Sequence, residues 1–380
     1  IDCEFLRHRF NTVGFSKQNR AWLFLSRHLK LQTEKGLRVP QYFYDALTWA
    51  DLIVVSGGDI LADYSEMAIK QYFFPIALGA SIGKPVYVFA QSLSRYRRKG
   101  LERFCKRYLD RTALITVREG LSYDYLNELG VRTPVHLTAD PAFLLAPCGA
   151  DRVRDLLAEE GIGENGAPRI GFSVSRTVTR WGGSDHARFV EATARSLERL
   201  SCRYEGARFL FVPHVSYRNN PRNDDRLVAR EVYEEASCKD RIDRVEGDYS
   251  CEELKGLIGS CDAFVGARTH ATIASVSQAV PTLALAYSAK AYGIMAEVLD
   301  RDVCVLDAKD VSEERLVSRI EHLVENRERY SPRMAKRVER IRERALQNGV
   351  LADTYLKVPE NQAGGELAFP PRRSRYGNPV

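Results

Sequence analysis

Short, nearly unbroken apolar runs alternate along this chain with longer segments whose apolar residues recur every three or four positions. Asp51–Ser56 (DLIVVS), Pro85–Ala90 (PVYVFA) and Ala113–Val117 (ALITV) are runs of strand length. Val135–Thr138, Arg169–Val174, Arg208–Val212, Ala263–Val265, Thr282–Ala286 and Val303–Leu306 repeat the pattern. The segments between them, Leu101–Leu109, Ser122–Leu129, Ala187–Leu200, Arg226–Ala236 and Cys251–Ile258, carry helical periodicity. Strands that are apolar on both faces and alternate with amphipathic helices predict parallel sheets covered on each side, an α/β fold.

The alternation is interrupted once, at Ala146–Gly149 and the glycine-rich stretch Gly161–Pro168. A domain boundary placed there gives one Rossmann-like domain over 1–150 and a second over 151–347. Ser312 and Ser331-Pro332 read as helix starts, because serine caps well and a proline at the first helical position gives up no useful N–H. The last helices are therefore expected over 312–328 and 332–347. From Val358 on, Pro, Gly, Arg and Asn dominate and no apolar period remains, so 358–380 reads as a flexible tail.

Composition narrows the function. The 380 residues suffice for two domains, and 44% hydrophobic residues can fill two cores. The net charge of +6, from 56 basic and 50 acidic residues, is too small to imply nucleic-acid binding. Much of it lies in Arg333–Arg344 and Arg372–Arg375. The eight cysteines form no CxxC pair and no Cys/His spacing suited to zinc, so they read as reduced thiols of a cytoplasmic protein with no metal. No run approaches the ~20 apolar residues of a membrane span, and no signal peptide is read. Peripheral membrane contact stays open. The chain begins at Ile1 rather than Met, which leaves room for a leading segment.

Candidate chemistry concentrates in Cys261–Gly293, read as strand, tight turn, helix, strand and polar loop. Arg268 and His270 fall at the C-terminal edge of a strand and the start of a helix, where free N–H groups and the helix dipole favour an anion. A guanidinium adds a bidentate clamp. Lys290 emerges on the same edge after the next strand. An isolated Arg-x-His more often caps its helix; Lys290 on the same rim favours a site. In the first half, Gly57, Gly58 and Asp59 follow a buried strand, with Asp59 or Asp63 suited to sugar hydroxyls or to base chemistry. Gln91-Ser92 and Arg118-Glu119 follow the next two strands, and Asp140-Pro141 the short run after them. His214 follows a strand of the second half; a loop histidine with its bonds satisfied and an acceptor-binding residue are equally compatible with its position.

The ordered set SGGDILADY, GKPVYVFAQS, ITVREGLSYDYL, LTADPAFLL, FVPHV, the NDD of Asn223–Asp225 and VGARTHATIAS…VPTLALAYSAK resembles the polysaccharide pyruvyltransferase family over roughly Asp51 to Leu299. The resemblance implies two Rossmann-like domains facing across a cleft, GT-B-like. It implies phosphoenolpyruvate as co-substrate with no further cofactor, and a glycan or lipid-linked sugar as acceptor. The product it implies is a pyruvate ketal, with phosphate released. It places the general acid on His270, and phosphoenolpyruvate on Arg118 and Lys290 with Arg268 beside them. Three departures stand out. No glycine-rich strand–loop–helix precedes Asp51, which points to a truncated or diverged N-terminal domain. Asp59 replaces a frequent third glycine, and Leu93-Ser94-Arg95 replaces the Gly-Pro after Gln-Ser.

Two other readings fit the same pattern. A GT-B glycosyltransferase would hold a nucleotide sugar's diphosphate on the same cations, although no acidic residue late in the second half is placed for a ribose. A non-catalytic glycan- or phosphate-binding module needs no proton donor, which His270 would supply.

Overall fold

The computed structural model describes residues 46–355 apart from 64, 65, 164, 165, 218–222 and 288. The chain builds two fully parallel sheets in succession. Strands β1 (Ile53–Val55), β2 (Val86–Gln91), β3 (Leu114–Val117) and β4 (Val135–Leu137) form the first, in the order β1-β2-β3-β4. The second holds β5 (Arg169–Ser173), β6 (Arg208–Phe211), β7 (Ile242–Arg244), β8 (Ala263–Gly266), β9 (Thr282–Ala286) and β10 (Val305–Asp307), in the order β10-β9-β8-β5-β6-β7. Parallel strands need crossovers, and helices supply them. In the first half these are α1 (Glu66–Ser81), α2 (Lys99–Leu109) and α3 (Gly120–Leu129). The second half contains α4 (Ala150–Glu159), α5 (Arg176–Gly182), α6 (His186–Arg203), α7 (Asp225–Glu235), α8 (Cys251–Gly259), α9 (Thr269–Val276), α10 (Ala289–Val298) and α11 (Arg301–Cys304), then α12 (Glu313–Glu325) and α13 (Arg327–Tyr355).

The central strands of the second sheet are apolar because both faces of that sheet are covered. Along β6, Phe209 and Phe211 join one core cluster while Leu210 joins the cluster on the opposite face. In β8, Ala263 and Val265 divide from Phe264 in the same way. Period-two geometry thus converts a continuous apolar run into two cores. β7 lacks that signature. It is an edge strand whose Asp243 pairs with Arg208 of its neighbour, and a charged edge of this kind discourages pairing with other chains.

The C-terminal helices depart from their expected bounds. Ser331-Pro332 does not begin a helix, because α13 starts at Arg327 and carries Pro332 inside it. The proline removes one backbone bond near the start of a 29-residue helix. A buried stripe of Tyr330, Met334, Val338, Ile341 and Ala345 at helical spacing outweighs that loss. The helix then runs past 347 and leaves its own half of the chain. Tyr87 Oη donates to the Asn348 carbonyl, and the Thr116 and Thr138 hydroxyls donate to Asn348 Oδ1. Asn348 Nδ2 donates in turn to the Ala139 carbonyl. The end of α13 is therefore fastened to the first sheet, a contact that a division at residue 150 does not convey. The expected tail over 358–380 lies outside the described residues.

Candidate active site

Both sheets direct the C-terminal ends of their strands toward one group of polar residues. From the first sheet, Arg118 follows β3 and is 3% exposed. Its Nε donates to Ser92 Oγ at 2.7 Å and its Nη1 donates to Asp140 Oδ2. Ser92 directly follows β2, and Asp140 follows β4. Asp140 also caps the short 3-10 turn Pro141–Phe143, its Oδ1 accepting from Ala142 N at 2.9 Å. A buried guanidinium and carboxylate pay for their desolvation only when paired and hydrogen-bonded, which this arrangement achieves.

The second sheet contributes Arg268, which follows β8 and precedes α9. It grips Asp225 through Nε at 3.1 Å and Nη2 at 2.8 Å. Asp225 opens α7 and is 2% exposed. Burial raises its pKa, and the guanidinium of Arg268 opposes that rise. Asp225 Oδ2 also accepts from Val215 N at 3.0 Å, so one carboxylate fixes both Arg268 and the loop carrying His214.

His270 joins the halves. It lies in the first turn of α9, its side chain is 55% exposed, and its Nε2 is 3.9 Å from Asp140 Oδ2. Asp140 Oδ2 thus bonds Arg118 Nη1 and is also the carboxylate oxygen nearest His270 Nε2. The His214 ring centroid is 6.4 Å from that of His270. Burial first, then the neighbouring His270 and Arg268, push the His214 pKa down to about 3. Lys290 lies in the first turn of α10, after β9 as expected, but its side chain is outside the described residues.

The other expected residues of the first half lie around the ends of β1 and β2. Gly58, at φ 138°, takes a conformation that glycine adopts without strain, bridges Gln91, and accepts from Ser92 N at 2.7 Å. Gly57 and Asp59 flank it, half-buried. Gln91 corrects its assignment as a substrate ligand: it is 0% exposed, and its Nε2 donates to the Ser56 carbonyl, bracing the turn from behind. Arg118 needs a similar correction, since its guanidinium is enclosed and paired rather than free for an anion. Asp63 accepts from Arg97 N, tying the turn after β1 to the loop after β2. The sequence reading noted Asp140 after a strand and Asp225 within the NDD motif but gave neither a role. An aspartate that caps a turn gives no sign in one dimension of which cation it will meet. Among the described residues no three His, Cys, Asp or Glu side chains are grouped to hold a metal ion, and no helix is long and apolar enough to cross a membrane.

Two parallel α/β halves with a polar site at their facing strand ends define the GT-B-like fold class. Solved structures of that shape are similar over most of the chain. UDP-GlcNAc 2-epimerase from Neisseria meningitidis matches with a TM-score of 0.57 at 14% identity, covering 83% of this chain and 79% of that one. Anabaena Alr3699/HepE matches with a TM-score of 0.52 at 14% identity, covering 83% and 80%. At such identities the likeness concerns the fold alone. The sequence decides the rest: the chain belongs to the polysaccharide pyruvyl transferase family, whose pattern it matches over residues 2–289. It is also 23% identical over 335 residues to the amylovoran biosynthesis protein AmsJ of Erwinia amylovora, covering 85% of this chain and 78% of that protein.

Proposed function

We propose that this transferase moves the pyruvyl group of phosphoenolpyruvate onto two hydroxyls of a sugar, forming a ketal and releasing phosphate. The observation that carries this reading is His270, exposed at a helix N-terminus and backed by a buried carboxylate from the opposite sheet. Phosphoenolpyruvate brings several negative charges, for which Arg268, Lys290 and the N–H groups opening α9 are suited. His270 delivers a proton to the methylene carbon, and the cation that forms at the neighbouring carbon takes the first hydroxyl oxygen. Phosphate departs with its bonding electron pair and the second hydroxyl closes the ketal. Of the two hydroxyl protons, one restores His270 and the other leaves on phosphate or to water. Asp140, held by Arg118, stabilises the charged ring before transfer. Arg118 thereby acts through Asp140, a positioning role that replaces direct binding of the anion.

The test is turnover. The protein is mixed with phosphoenolpyruvate and a panel of methyl hexosides whose hydroxyls can close five- or six-membered ketals, with UDP-sugars in parallel. Phosphate release together with the mass of a pyruvylated glycoside is the expected result. Consumption of a UDP-sugar, with phosphoenolpyruvate untouched, would refute the reading.

A further inference from the structure

His214 stands on the loop after β6, half-buried, its ring tilted 32° from that of His270. Its Nδ1 is enclosed and has no hydrogen-bond partner among the described residues. An imidazolium has to donate from both nitrogens, and a buried donor left without a partner is destabilising. A neutral ring that turns its lone pair toward the enclosed side avoids a buried N–H without a partner. The proton then resides on Nε2. Among the described residues no carboxylate pairs with the ring; its charged neighbours there are Arg268 and His270, and they reinforce the effect of burial in keeping it uncharged. Asp225, which holds Arg268, fixes this loop through Val215 N, so ring and guanidinium are placed together.

We propose that His214 is a neutral hydrogen-bond donor, through Nε2–H, to the phosphate group of the donor substrate, bound beside Arg268 at the start of α9. His270 transfers the proton; at His214 no bond is made or broken. This rests on the phosphoenolpyruvate reading for its substrate, but phosphate binding tests it separately.

The experiment compares His214→Gln with His214→Leu. The glutamine amide nitrogen can occupy the place of Nε2 and donate, yet it transfers no proton at neutral pH. Leucine fills space and donates nothing; His214→Met replaces it if the leucine variant fails to fold. Inorganic phosphate binding is measured by calorimetry, and kcat/KM is measured for phosphoenolpyruvate. The leucine variant is expected to bind phosphate ~10-fold more weakly. Its kcat/KM should fall ~10²–10³-fold, the usual loss for one preorganised donor. Glutamine should recover most of both losses. Equal, large losses in both variants would mark a proton-transferring histidine and overturn the proposal, as would a leucine variant with normal phosphate binding. A split between Leu and Gln in phosphate binding, without any turnover of phosphoenolpyruvate by the unaltered protein, would keep the role of His214 and reject the donor substrate.

Discussion

His270 is subject to two opposed fields. The N-terminus of α9 disfavours positive charge on the ring, whereas Asp140 at 3.9 Å and a bound phosphate favour it. Replacing His270 with glutamine should lower kcat by ~10²–10⁴-fold, the range for a single general acid. Because the side chain is more than half exposed, Tm should stay close to that of the unaltered protein. A folded variant with normal kcat would remove the catalytic role. His214 makes a different prediction, about stability. Its folded-state pKa is pushed down to about 3 from an ordinary value of 6.5. Between those values the unfolded chain binds the proton and the folded chain does not, so the stability from this group is fully present above pH 6.5 and drains away as pH falls toward 3. Denaturant titrations across that window should show a shallower pH slope for His214→Gln, and an unchanged slope would contradict the enclosed neutral ring.

Among the elements, α13 does two jobs. Its apolar stripe packs on the second half, and its C-terminal turns reach the first sheet through Asn348. Leucine at 348 would leave the Thr116 and Thr138 hydroxyls and the Ala139 carbonyl without their buried partner. Thr116 and Thr138 keep partners in Tyr87 and the Val117 carbonyl, so the expected cost is about 1–3 kcal/mol, chiefly from the Ala139 carbonyl and the lost bonds to Asn348. It should appear as a lower denaturant midpoint, with the first half losing protection in hydrogen exchange ahead of the second. Uniform loss across both halves would mean that the helix does not fasten them in this way.

At the scale of the molecule, the site depends on how closely the halves meet. Gly293 of α10 faces Glu119, the N-cap of α3 and the neighbour of Arg118; a Cβ at 293 would lie 3.0 Å from Glu119 Cβ. Leucine there has to push α10 from α3 and shift Asp140 relative to His270. A displacement near 1 Å costs up to ~10²-fold in rate, so Gly293→Leu should lower kcat/KM for phosphoenolpyruvate by ~10–10²-fold without altering a ligand-facing residue. Normal kinetics in that variant would show that the seam tolerates the added bulk.

Hydrophobic periodicity alone determined that this chain alternates strand and helix and builds parallel sheets, because burial on both faces demands unbroken apolar strands. The same local logic placed Arg268 and His270 at a strand–helix junction. It failed for β7, whose charged residues reflect an edge position, and for α13, where packing of a long stripe overrode the stop suggested by Ser331-Pro332. Tertiary structure alone decided which charges meet. Arg118 looks like an anion ligand until Asp140 closes on it, and Gln91 looks like a substrate ligand until the Ser56 carbonyl claims it. Asp140 and His270, or Asp225 and Arg268, lie far apart in sequence, and pairing between charges is fixed by distances through space that only the docking of the two sheets and their crossovers creates.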